Sequence, residues 1–467
     1  MGGRFVLLAL AAAGASVALF WGGPLTQAAA ALVAAIALYA AFYLKERHGL
    51  HAGLYLLAWV GVALFEQGTR LWVLFAGWEL VSTAGWGLIA WGRGCSPRSL
   101  HAAQIALLTT RLGDVFWVAG AFSGGTFPEG LWLAAMVKAG LFPFTFWLVQ
   151  AMYAPAMVSA LLHSALLVAL GVYLPLKEPF GGMVSQLPAL WVERTGETIG
   201  TVAAIGTLLS RSDKAALAWS TGSHLAFILA GWAEPSHILG EILHHSYLKA
   251  ALFLLLGLKQ KGYSGLGLAL LWYGSAGALV GGVQGGALRL VAEGLVAWRL
   301  GGIGRGFFRG GSLGLFPWWW GLPVAVLAGL GVRMVSFAGG GLVPLALLGL
   351  GGVWRMRLPA ARIDKLPLRL MQAVEKGWLA LSRQLAAFER WQVEAFAEAG
   401  RKLLAWDVSL ALAETHKLTS FWRYAAQFTR KGLSQLATFA GSHSYQGALR
   451  WALLITILSG FIWKLLR

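Results

Sequence analysis

The chain has 467 residues, 58% of them hydrophobic and only 12% charged, with a mean hydropathy of +0.67 and a formal charge of +18. This apolar excess excludes a soluble globular protein and requires several segments to sit in a bilayer. The basic balance does not indicate nucleic acid: the lysines and arginines lie in short loops between apolar runs and in one long C-terminal segment, with no basic, aromatic-rich soluble module, so they fit topology and anionic lipid instead.

The N-terminal run MGGRFVLLALAAAGASVALFW has a signal-like basic start, yet a second apolar run follows directly at about Ala28 to Tyr43. The pattern predicts a retained first span. Further apolar runs, broken by charged or Pro/Gly loops, predict about fifteen spans, about fourteen of them before Arg355 and one from Trp451 to Trp463. Alternate loops carry the positive charge, among them Lys45/Arg47, Arg93/Arg98, Arg211/Lys214 and Lys259/Lys261. That bias predicts a cytoplasmic N-terminus in an inner (cytoplasmic) membrane. Cys95 is the single cysteine, so the chain forms no internal disulfide and no cysteine-ligated cluster.

Beyond Arg362 the pattern changes. Leu370, Val374, Trp378, Leu381, Leu385 and Phe388 step by three and four, and Phe396, Ala399, Leu403, Trp406 and Leu410 resume the stripe. As one helix this segment is on the order of 100 Å long, too long and too charged to span, and lies flat on the cytoplasmic surface. Alternatively, Gly400 and Gly432 break it into an interfacial helix pair. The expected organisation is therefore N-terminal spans over 1–70, a channel core over 71–260, second-half spans over 261–362, the amphipathic lateral helix over 363–445 and a last span over 446–467.

Charged groups inside spans are costly, about 3 kcal/mol each on the insertion scale, so each needs a partner or a water-filled path. Glu79 lies in LWVLFAGWELVSTAGWGLIAW, Asp114 in RLGDVFWVAGAF, Lys138 in LWLAAMVKAGLFPFTFWL and His163 in APAMVSALLHSALLVALGVYL. Pro143, five residues after Lys138, predicts a broken helix that admits water or a polar side chain. Lys214, next to Asp213, is either part of the buried set or an anchor that snorkels to the interface.

In EILHHSYLKAALFLLLG, Glu241, His245 and Lys249 are four apart and share one helix face, while His244 points about 100° away. Titratable groups at one-turn spacing suit proton hopping through bound water. A hydrogen-bonding face is the structural alternative, and a metal site is disfavoured because lysine is a poor ligand. The glycine run GGIGRGFFRGG lacks the strand of a phosphate loop.

These segments resemble a known family. AMVKAGLFPFTFWLVQAMYAPAMVSALLHSALLVALGVYL, SRSDKAALAWSTGSHLAFI and LHHSYLKAALFLLLG, with GWELVSTAGWGLI and LGDVF, resemble the antiporter-like subunits of respiratory complex I and of Mrp-type sodium/proton antiporters, from about Leu71 to Gly257. The lateral segment and SYQGALRWALLITILSGF are similar to the distal, largest such subunit. The resemblance implies an all-α polytopic bundle with two broken helices, a Glu79/Lys138 pair, and proton passage through positions matched by His163, His245 and Lys249. Glu241 stands where the family usually has histidine, and His224 where glutamine is common.

The second half departs from the family. Where a proline pair and a lysine are expected, GALVGGVQGGALRLVAEGLVAW offers only Arg289 and Glu293 as charges. Arginine does not release a proton near neutral pH, so the exit either runs through Arg289/Glu293 and water or is lost. The implied function is a proton-translocating subunit of a NADH:quinone oxidoreductase or related complex, contacting antiporter-like neighbours through the lateral helix. The chain itself has no flavin, cluster or quinone motif, so no cofactor is expected and any redox chemistry belongs to partners. Two alternatives are an ion-coupled membrane partner of a soluble zinc protein in inorganic-carbon uptake and a structural relic without proton flux.

Overall fold

The computed structural model describes residues 2–20, 22–44, 48–92, 94–164, 166–233, 235–281, 287–308, 318–333 and 348. All lie in the first of two compact units, Met1–Arg369; the second, Leu370–Arg467, falls outside the described residues, and with it the expected lateral helix and last span. Among the described residues every regular element is helical, so the all-α reading holds.

The chain begins with α1 (Gly2–Phe20), α2 (Pro24–Tyr43), α3 (His48–Gln67), α4 (Leu71–Trp91) and α5 (Pro97–Ala121). Shorter pieces follow: α6 (Pro128–Ala139), α7 (Thr145–Gln150), α8 (Ala156–His163), α9 (Leu167–Tyr173) and α10 (Phe180–Val184). Then come α11 (Ala189–Leu209), α12 (Asp213–Ala230), α13 (Pro235–Gln260), α14 (Leu266–Gly281), α15 (Ala287–Gly304) and α16 (Trp318–Arg333). Among these residues, five stretches are long and apolar enough to cross a membrane: Pro24–Tyr43, His48–Gln67, Leu71–Trp91, Ala156–Leu176 and Ile238–Gln260. The protein is a multi-pass membrane protein.

Local chemistry sets the helix ends. Ser96 and Ser212 cap α5 and α12 by accepting from the backbone N–H of Ser99 and Ala215, at 3.2 and 3.0 Å. The start of α2 has Gly23 at its cap position and no side-chain cap of its own. Glu66, at the far end of α3, supplies one: its carboxylate accepts from Leu25 N at 2.8 Å, from Thr26 N at 2.6 Å and from the Thr26 hydroxyl. A carboxylate on helix N-terminal amides satisfies donors that a membrane interior leaves without water.

Two interruptions place titratable side chains at helix ends. The break expected at Pro143 begins earlier, because α6 ends on Gly140 in the left-handed region (φ +65°), where a side chain is strained. Lys138 therefore occupies the last turn of α6. Likewise α8 ends at His163, Ser164 leaves the helical region, and α9 resumes at Leu167. Lys138 thereby sits at the negative end of a helix dipole, where a cation is favoured.

Candidate functional site

The first buried set joins α4, α5 and α6. Lys138 is fully buried, and its ammonium donates to Trp78 O at 2.8 Å and Ser82 Oγ at 2.5 Å. It also lies 4.1 Å over the Trp78 ring, an added cation–π attraction. Across the set, Trp78 Nε1 donates to Asp114 Oδ1 at 2.7 Å. Glu79 pairs with the Arg111 guanidinium, which also stands 3.2 Å from Asp114 Oδ2. The resemblance implied Glu79 against Lys138. In the structure the direct cation on Glu79 is Arg111, while Lys138 reaches the neighbouring residue's carbonyl.

Lys214 is not a free interfacial anchor. Its Nζ donates to the carbonyls of Met152 (3.1 Å) and Ala154 (2.5 Å) and lies 3.4 Å from Ser159 Oγ. It lines a cavity of about 630 Å³ at the start of α12 and the end of α13, together with Tyr153, Asp213, Lys259 and Gln260. Asp213 is held there by Lys259 at 3.0 Å and Arg299 at 3.1 Å. Ser159 lies one turn before His163 on α8, which packs along α13. The His163 ring, fully buried with neither nitrogen hydrogen-bonded, rests against Phe253 at a centroid distance of 4.7 Å. Phe253 is one turn beyond Lys249.

The second buried set joins α12, α13 and α15. Lys249 is fully buried and donates to Ser220 Oγ at 2.5 Å. One turn along α12, His224 Nε2 is 2.7 Å from Glu293 Oε2. The His245 ring lies 5.6 Å from that of His224. At the rim, Arg289 pairs with Glu241 at 3.2 Å. His244, on the neighbouring face of α13, lines a small cavity with Glu241, His245 and Glu293 and meets Gly331 O of α16 at 3.2 Å. Among the described residues, no group of three His, Cys, Asp or Glu is arranged to hold a metal.

The sequence reading therefore missed Arg111, Ser82 and Ser220, and gave His224 no role. Arg111 had a signal, since RLGD puts it three residues before Asp114 on the same face of α5. The serines had none; a small hydroxyl inside a span usually bonds its own helix backbone.

Comparison with known proteins bears on the same segments. Residues 129–264 match the family described as NADH:quinone oxidoreductase/Mrp antiporter, TM. The NAD(P)H-quinone oxidoreductase subunit 5 of Nephroselmis olivacea chloroplasts is 26% identical over 51% of this chain and 42% of its own length. The NADH-ubiquinone oxidoreductase chain 5 of Dugong dugon is 31% identical over 43% and 37%. For the NADH-quinone oxidoreductase subunit L of Pseudomonas aeruginosa the figures are 30% over 48% and 41%. The matched part thus spans about two fifths of these relatives. A chain of the Mrp complex from a Dietzia species shares the fold, with a TM-score of 0.60 at 21% identity over 95% of this chain and 61% of that one. Lys138, His163, Lys214, Glu241, His245 and Lys249 all lie within the segment that matches this family.

Proposed function

We propose that the chain is a proton-translocating membrane subunit of a multi-subunit energy-converting complex. The observation that carries this reading is the pair of fully buried lysines, Lys138 and Lys249, each with its ammonium on a serine hydroxyl and each backed by carboxylates in the next layer. Buried amines persist in a bilayer only where the charge has partners, and an amine whose counter-charge is one step away takes or loses its proton as that charge moves.

Proton steps pass through Glu79, Lys138, His163, Lys214, Glu241, His245 and Lys249, with Asp114, Arg289 and Glu293 at the ends. The 630 Å³ cavity beside Lys214 supplies a wet mouth on the side of Arg211, Lys259 and Lys261. By the positive-inside rule that side is cytoplasmic, as is the N-terminus, in an inner membrane. Relatives named as subunits of quinone oxidoreductases and the Mrp likeness support membrane-subunit neighbours. Lipid covers the rest of the bundle, and the segment 363–445 reaches along those neighbours.

The test is proton movement in vesicles holding the protein with its co-purifying partners, under an imposed potassium diffusion potential, read by a trapped pH dye. Lys138→Ala and Lys249→Ala each stop the flux; two variants that conduct like the parent end this reading.

A further inference from the structure

The wire lacks the second-half lysine that the family resemblance leads one to expect, and the structure contains a different arrangement in its place. Three helices bring one-turn pairs together: Ser220 and His224 on α12, Glu241, His245 and Lys249 on α13, Arg289 and Glu293 on α15. They meet in successive rungs, Lys249 with Ser220, His224 with Glu293, and Arg289 with Glu241. Exposure increases along these rungs. Lys249 and Glu293 are wholly buried, whereas the Arg289 and Glu241 side chains are 16% and 31% exposed.

A cavity of about 30 Å³ lies among His224, Glu241, His245, Arg289 and Glu293. That is room for one or two waters. Glu293 Oε1 and Arg289 Nε, both buried, have no protein partner, so this wall offers an acceptor and a donor for a bridging water. His244 of α13 also lines it, held by the Gly331 carbonyl of α16, with Leu279 of α14 and Ile228 of α12, and Lys249 is buried one turn beyond His245. The cavity lies at the opposite end of α13 from the cavity beside Lys214. Glu241 and Lys259 are 18 positions apart on α13, about 27 Å at 1.5 Å per residue, close to the thickness of a hydrocarbon core.

We infer that His224 and Glu293 together form the outer proton-holding station of this chain, in place of a lysine, and that the Arg289–Glu241 ion pair is the gate over it. The inference rests on the proton-translocation reading above. A proton leaving the Lys249 ammonium is taken up by the His224–Glu293 pair, which then holds one more proton, and is given to cavity water when the gate parts. Arg289 keeps its own proton throughout and acts only as the counter-charge on Glu241.

Two measurements on the full-length protein in phosphatidylcholine/phosphatidylglycerol vesicles test this. In pH-difference infrared spectra, the parent shows a carboxylic acid C=O band that Glu293→Gln abolishes, that His224→Gln displaces and that Lys138→Ala leaves in place. A band that survives Glu293→Gln, no such band at all, or a band indifferent to His224→Gln overturns the pairing. In flux measurements, Glu293→Gln slows proton movement about tenfold or more, and Arg289→Gln raises the leak at zero potential. If Lys249→Ala stops the flux while Glu293→Gln and His224→Gln conduct like the parent, translocation stands and this outlet is wrong. If Lys138→Ala and Lys249→Ala also conduct like the parent, the translocation reading itself fails, whatever the infrared band shows.

Discussion

Arg111 of α5 holds the Glu79 carboxylate of α4 in an ion pair, while Lys138 of α6 is turned to the carbonyl of the adjacent Trp78. Two cations thus sit on either side of one helical turn, and Asp114 touches both sides, at Arg111 and at Trp78 Nε1.

Arg111→Gln removes the cation from two buried carboxylates. Expected are a loss of about 2 kcal/mol in stability, less than a wholly buried pair because the arginine is partly exposed, and proton flux slowed together with it. Thermal unfolding in detergent and the vesicle assay check both; an unchanged unfolding temperature would sink the clamp.

Ser220 is the side-chain acceptor for Lys249. Ser220→Ala leaves that ammonium short of a partner and slows flux about tenfold, by the usual worth of a hydrogen bond to a charged group. Ser220→Thr keeps the hydroxyl and restores the rate. Equal rates in alanine and threonine variants contradict the assignment.

Glu66→Ala strips the cap from α2, leaving the Leu25 and Thr26 amides without their acceptor. The expected loss is about 2 kcal/mol, read as a lower unfolding temperature with proton movement retained in the folded fraction.

A methyl at Gly171 meets Ala135 O and Ala139 N at 2.7 Å, both backbone atoms of the helix that carries Lys138. Gly171→Val pushes α9 off α6, at a cost of about 1–3 kcal/mol, and lowers flux by displacing Lys138. Gly53 faces open space, so Gly53→Ala serves as the control and changes neither readout.

The two cavities place Tyr153 and Glu241 at opposite ends of the bundle. In a Cys95→Ser background, Tyr153→Cys and Glu241→Cys are expected to react with a membrane-impermeant thiol reagent from opposite sides. Labelling of both from one side refutes a path across the membrane.

The sequence by itself determined that this is a helical membrane protein, which residues are costly enough to need partners, and that Glu241, His245 and Lys249 share a face of α13. These are properties of composition and of the 3.6-residue period, and neither needs a neighbour. Only the tertiary structure decided who partners whom. Arg111 rather than Lys138 holds Glu79, Lys214 rests on carbonyls of the short 3-10 turn and the extended residue before α8, and His224 meets Glu293 across 69 positions of sequence. Such pairings depend on how broken helices are rotated and stacked. No local pattern in a single chain records that choice.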